Sequence, residues 1–320
     1  MPITSMPFAW QGILLLVAGS LLRALYIINN KHNLRGLSSR FVIVVNMLGT
    51  SALLFAVMLT LARPTITDWL SWPSGILWPL LATAILNIAV QYGELRALEI
   101  EDASLVTPMT AAAPVLSLLT GFIILRELPT IAGWFGVVLL SIGSYVLNAS
   151  KPSADGTLTA APASETKRHL HTAANLLLPW KNLARSRGVR LAFWSSVVAS
   201  VSINFDKIVA VKTNALFLPA VVFGFVGLAM IPALRNEHLP RSLNRRQMVS
   251  LAATPFLFAV VAVLFVASFS YGLASNSSAL RRLTILFVAL LAGPLLKERG
   301  HPERVWGGAI MTAGALLLAF

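Results

Sequence analysis

Residues 103–148, ASLVTPMTAAAPVLSLLTGFIILRELPTIAGWFGVVLLSIGSYVLN, have a divergent second version in residues 274–319, ASNSSALRRLTILFVALLAGPLLKERGHPERVWGGAIMTAGALLLA. Three pairs set the register between them. Glu127 with Glu298, Gly136 with Gly307 and Gly143 with Gly314 are each 171 residues apart. Lys31 and Lys212, near the ends of earlier apolar runs, correspond more loosely. One ungapped offset shared by three positions marks an internal repeat.

Each copy holds two apolar runs, and a membrane-spanning helix needs roughly 20 mainly apolar residues. Working outward gives ten such runs, at 8–28, 41–62, 75–93, 103–125, 131–148, 190–211, 216–234, 248–270, 274–296 and 303–320. Turn signals separate them, among them Pro64, Trp72-Pro73-Ser74, Leu128-Pro129 and Gly300-His301-Pro302. Open strand edges cannot sit in lipid, so these runs are expected to be helices. The expected fold is an all-α integral membrane protein of ten transmembrane helices. Five spans per half is an odd number, which places the two repeats in inverted orientations, an arrangement recurrent in transporters.

Composition agrees. The chain is 57% hydrophobic and 12% charged, with a mean hydropathy of +0.77, too little charge to cover a water-soluble fold of this size. The net charge of +13 would raise nucleic acid as a partner of a soluble protein. Here the basic residues collect in loops, so membrane lipids are expected as partners and nucleic acid is not. The chain has no cysteine, which removes disulfide and thiolate chemistry. Met1 to Phe8 carry no basic n-region and no cleavage signal, so the first run reads as a retained span.

Three segments follow: a first repeat at 1–148, a basic linker at 149–189 and a second repeat at 190–320. The linker opens with the flexible SKPSADG of residues 150–156. Its later part, 173–187, sets Leu176, Leu177, Leu178 and Trp180 beside Lys181, Arg185 and Arg187. That pattern fits an interfacial helix and a basic solvated loop equally well.

The stretch Tyr92 to Leu147 resembles an EamA-type half of the drug/metabolite transporter superfamily. The matching features are Ala97-Leu98, Ala103-Ser104-Leu105, Pro114 within the fourth span, Glu127 at its end, and Gly136 with Gly143 in the fifth. The second half repeats the pattern with Ala274, Glu298, Gly307 and Gly314, and departs from it at Ile285, which stands where the first half has Pro114. The resemblance implies a ten-helix bundle around a central cavity lined by spans one, three, four, six, eight and nine, with five and ten outside. It also implies metabolite transport and a place in a bacterial inner membrane. Fold alone does not fix the substrate.

Charged groups inside spans carry the most information, because each costs roughly 2.5–3.5 kcal/mol at a helix centre. Arg281-Arg282 in span nine has the chemistry of an anion clamp, since a guanidinium grips carboxylate or phosphate through two parallel hydrogen bonds. A basic pair in this span also resembles the anion-contacting pair of phosphate-exchanging relatives. Snorkelling of the pair to the headgroups is the structural alternative. Asp206 and Lys207 in span six suit an ion pair or a coupling site, as do Glu94 and Arg23. Asn87, Gln91 and Glu94 share one helical face of span three, and Tyr92, Asn204 and Tyr271 complete the candidate substrate contacts. Glu127, Glu298, Pro114 and the four repeat glycines read as structural.

No metal or cofactor is expected: His169 and His171 lack a ligand set, and no Walker loop is present. An enzyme is disfavoured because no paired acid/base set is visible. The expected activity is secondary transport of a small polar, anionic metabolite by alternating access of the two repeats. The rivals are a flippase for a lipid-linked phosphate substrate and, behind it, a non-transporting scaffold or sensor. Assembly as a homodimer is left open. Lys and Arg concentrate in the odd-numbered connections, which places those loops in the cytoplasm and both termini outside, whereas the family commonly has both termini inside.

Overall fold

The computed structural model describes residues 9–33, 37–61, 75–101, 103–149, 183, 185–235, 242–296 and 302–319. Glu298 and nearly all of the linker, including most of 173–187, lie outside the described residues. Among the described residues, all regular structure is helical. Span one is Trp10–Asn33, two Ser39–Leu61, three Leu77–Ile100, five Ile131–Ala149, six Arg187–Lys212 and ten Pro302–Ala319. Span seven joins Phe217–Met230 to a 3-10 turn at Ile231–Leu234, and span eight joins Arg245–Ala267 to one at Ser268–Tyr271. Spans one, two, four, six, seven and eight are long and apolar enough to cross a membrane on their own, and five and ten are shorter apolar helices.

Spans four and nine, continuous in the sequence, are each broken in the structure. Span four is Ala103–Thr110 followed by Ala113–Leu125, and span nine is Ala274–Leu280 followed by Leu283–Leu296. The pieces begin and end 170 or 171 residues apart, so the breaks themselves obey the repeat (103 to 274, 113 to 283, 125 to 296). Pro114 explains the first break. It has no amide hydrogen and its ring crowds the carbonyl four residues earlier, that of Thr110. The second break has Ile285 instead and is turned by short-range bonds: Arg282 N–H to the Ala279 carbonyl at 2.9 Å and Ile285 N–H to the Arg282 carbonyl at 2.9 Å. In span eight, Pro255 likewise frees the Leu251 carbonyl, which accepts from the Thr254 hydroxyl at 3.4 Å.

The most extensive helix contacts all join one span from each half: five with ten, three with six, two with seven and one with eight. Neither half therefore has a core of its own. Exchanging the halves maps three–six onto eight–one and returns the other two pairs to themselves, as inverted repeats require. Two mixed groups emerge, joined through the extensive two–seven contact. Spans three and four pack on six, and seven on three; spans eight and nine pack on one, and two on eight.

The repeat glycines make the five–ten contact. A Cβ on Gly136 would lie 2.8 Å from the Gly314 carbonyl oxygen, and one on Gly143 would lie 2.8 Å from that of Gly307. The pairs thus cross over between the copies, and their missing side chains let two backbones touch in antiparallel packing. Close backbone approach is a main source of helix adhesion where lipid removes the hydrophobic drive.

Odd-numbered connections meet at one end of the bundle. Arg40 pairs with Glu99 and donates to the Ala233 carbonyl at 3.5 Å, Arg96 pairs with Glu99 at 2.8 Å, and Ser186 bonds Glu101. At the other end, Ala9 N–H donates to the Tyr271 carbonyl at 3.1 Å.

Candidate functional site

A cleft lined by charged and polar side chains lies within the bundle as two adjoining lobes of about 360 and 460 Å³. Arg23, Asn87, Val90, Glu94, Asp206 and Arg281 line both. Among the described residues, spans five and ten contribute none to the lining. Spans two and seven do line the first lobe, through Asn46, Met47, Pro219 and Val222 among others, which extends the lining expected from the family resemblance.

The charged groups of the cleft are sorted by wall. The carboxylates Glu94 and Asp206 come from spans three and six, in one mixed group. The guanidiniums Arg23, Arg281 and Arg282 come from spans one and nine, in the other. Asp206 faces the field of Arg281, and Glu94 that of Arg282 and Arg23. Three cations against two anions leave the cleft with a net positive charge when all are ionised.

Arg281 is held against two aromatic rings. Its guanidinium carbon lies 4.9 Å from the Phe265 ring centroid and 4.8 Å from that of Phe269, and one amino group donates to the Phe265 carbonyl at 3.0 Å. Its Nε has no hydrogen-bond partner among the described residues. Aromatic faces attract a cation without neutralising it, so the remaining donors stay available to an anion. Arg282 reaches across the bundle to Thr110, donating to its carbonyl at 2.5 Å and its hydroxyl at 3.3 Å. That carbonyl is the one Pro114 frees. The arginine at one helix break therefore satisfies the backbone group exposed at the other, and this cross-tie accounts for a basic residue deep in span nine.

On the opposite wall, the Thr83 hydroxyl donates to Asp206. Asn87 donates to the Thr83 carbonyl at 2.9 Å and to the Ser202 hydroxyl at 3.0 Å. This network welds span three to span six and fixes Asp206 in place. Glu94 and Gln91 lie on the same face as Asn87, at three- and four-residue spacings.

Other sequence candidates lie elsewhere. Tyr92 is 59% exposed, because it follows Gln91 by about 100° of helical rotation and points off the bundle. Asn204 is fully buried between spans six and four, donating to the Thr120 hydroxyl at 3.0 Å and the Ser200 carbonyl at 2.8 Å, and lines neither lobe. Tyr271 sits 41% exposed in the 3-10 turn outside the cleft. Lys207 pairs with Glu127 and donates to the Gly272 carbonyl at 2.6 Å. Glu127 also accepts from Ala274 N–H at 3.1 Å, at the start of span nine. Arg126, in a left-handed conformation with φ 57°, turns the chain so that Glu127 follows the end of span four.

Lys207 and Glu127 are thus a structural tie between spans four, six and nine. Lys207→Ala is expected to lower stability by about 2–3 kcal/mol, since it strands a largely buried carboxylate. The double variant Lys207→Met/Glu127→Gln is expected to recover most of that loss. A detergent thermal-unfolding series checks it, and no difference between the single and double variants would contradict the assignment.

A polar cleft between two interlocked inverted repeats defines a membrane transporter. A profile of the EamA-like transporter family matches residues 10–149 and 186–320, and the chain belongs to that family, within the drug/metabolite transporter superfamily. No curated protein matches the chain. A solved structure titled "Crystal structure of protein" superposes over 96% of this chain and 96% of its own, with TM-score 0.72 at 13% identity, a likeness that speaks for the fold alone.

Sequence reasoning missed Asn46, Tyr26, Phe223 and Phe258 in the first lobe, and Thr83, Ser202 and Thr110 as supports. A lone amide in the apolar run VIVVNMLGT was the available signal for Asn46.

Proposed function

We propose that this protein is a secondary transporter of a small organic anion in a bacterial inner membrane. The observation that carries the reading is the sorting of charge: guanidiniums on one wall, carboxylates on the other. An anion entering the cleft competes with Asp206 and Glu94 for Arg281, Arg282 and Arg23. Binding thereby replaces attractions that span the cleft with attractions confined to one wall. A ligand shifts a conformational equilibrium only through such differential contacts. The moving bodies then mix the sequence halves: spans three, four and six against spans one, eight and nine, with spans two and seven, which pack most extensively on each other, between them. Energy comes from a solute gradient or exchange.

The test is solute uptake into proteoliposomes loaded with a panel of small organic acids and their neutral amides. Saturable exchange of acids, with amides inert, is expected. Equal competition by amides or amines would exclude the anion reading. The charge bias of the odd-numbered loops further supports termini outside; a reporter fused to Phe320 and active only in the cytoplasm would reverse that orientation.

A further inference from the structure

We propose that the first lobe is a subsite for a flat ring bearing an amide edge, and that Asn46 is the residue that reads that edge. The inference rests on the anion-transport reading and adds the chemistry of the rest of the solute.

Asn46 sits about a third of the way along span two and is 1% exposed. Among the described residues, neither its Nδ2 nor its Oδ1 has a hydrogen-bond partner. A carboxamide offers two donors and one acceptor, and buried polar groups are almost always paired. An orphan of this kind in the wall of a cavity calls for a partner that arrives from outside. Asn46 lines the first lobe. It contrasts with Asn204, whose amide nitrogen has protein partners, whose Oδ1 alone lacks one, and which lines neither lobe.

The rest of the lobe narrows the solute. The Phe258 ring lies 5.2 Å from Tyr26 and 5.2 Å from Phe223, centroid to centroid. Phe265 and Phe269 flank Arg281, which lines the same lobe. Aromatic walls favour flat unsaturated rings. A primary amide pairs with a ring carrying adjacent N–H and C=O through two parallel hydrogen bonds, the geometry by which asparagine reads a base edge. One anionic substituent on that ring then belongs to Arg281. A lobe of about 360 Å³ is large enough for such a small molecule. The amide is covered in the ligand-free chain, so the solute meets it by a turn of the Asn46 side chain.

The experiment measures thermal unfolding of the purified full chain with orotate, which has a flat ring, amide edges and one carboxylate, and with benzoate, which lacks the amide edge. Orotate is expected to bind wild type roughly tenfold more tightly than benzoate. Asn46→Leu is expected to raise the ligand-free Tm, because it removes an unpartnered amide, and to lower orotate binding to the benzoate level. Asn46→Ala is the second variant and is expected to lose the same preference. Retention of the orotate preference in the Asn46 variants, or no preference in wild type, would overturn the proposal. If small organic acids still stabilise the protein and Arg281→Gln removes that response, an absent orotate preference leaves the anion reading standing. If no anion stabilises wild type, both readings fall.

Discussion

Arg281→Ala is expected to lower anion transport roughly 100-fold, because truncating one side of a desolvated charged contact costs about 2–5 kcal/mol. The residue combines three features. It lines both lobes, its guanidinium rests against the Phe265 and Phe269 rings, and its Nε is unpartnered among the described residues. Arg281→Lys is expected to recover little, since an ammonium lacks the planar fork that grips a carboxylate. Arg281→Ala also leaves Asp206 facing less positive charge. Arg281→Ala/Asp206→Asn separates the two effects: stability returns toward wild type while transport stays low. Uptake by proteoliposomes, with size-exclusion profiles as the folding control, provides the measurement. Wild-type transport by both Arg281→Ala and Arg282→Ala would sink the anion clamp. The Arg282 variant alone is expected to lose stability as well, through the two hydrogen bonds to Thr110 that it removes.

The second large effect lies far from the cleft. Gly143→Val is expected to cost about 3 kcal/mol or more, at the upper end of overpacking penalties. Even its Cβ would stand 2.5 Å from Met311 Cγ, 2.8 Å from the Gly307 carbonyl oxygen and 2.9 Å from the Met311 amide nitrogen. Two of those three neighbours are backbone, so trimming Met311 to alanine is not expected to rescue the variant. Spans five and ten must separate, and the pairing of the two halves weakens with them. Thermal unfolding in detergent reads the loss directly. A Gly143→Val protein as stable as wild type would show that the two helices do not touch at this point.

The sequence already contained the ten apolar runs, the repeat offset and the glycines, because each depends on composition or spacing along the chain. A span needs length and hydropathy, and a repeat needs only self-similarity. The break in span four was signalled by Pro114, whose covalent structure forbids one helical hydrogen bond. The break at Arg281-Arg282 was not, since Ile285 carries no such constraint.

Which face of each span turns inward was harder to read. In water an apolar stripe marks the buried side of a helix, but lipid tails are as apolar as a protein core, so a membrane helix can be apolar all round. Asn46 and Asn204 are each a buried amide in a spanning helix; only packing makes one an orphan in the cavity wall and the other a tie to Thr120. Charge obeys the same limit. The sequence supplied Arg23, Glu94, Asp206, Arg281 and Arg282 as costly residues that needed a wet or paired environment. Only the interlocking of the halves, which sets span three beside six and span one beside eight, placed every cleft carboxylate opposite every cleft guanidinium. Chain-local chemistry thus determined the spans and their repeat. Contacts between residues far apart in the chain decided the cleft, because no local preference encodes which helix will stand across from which.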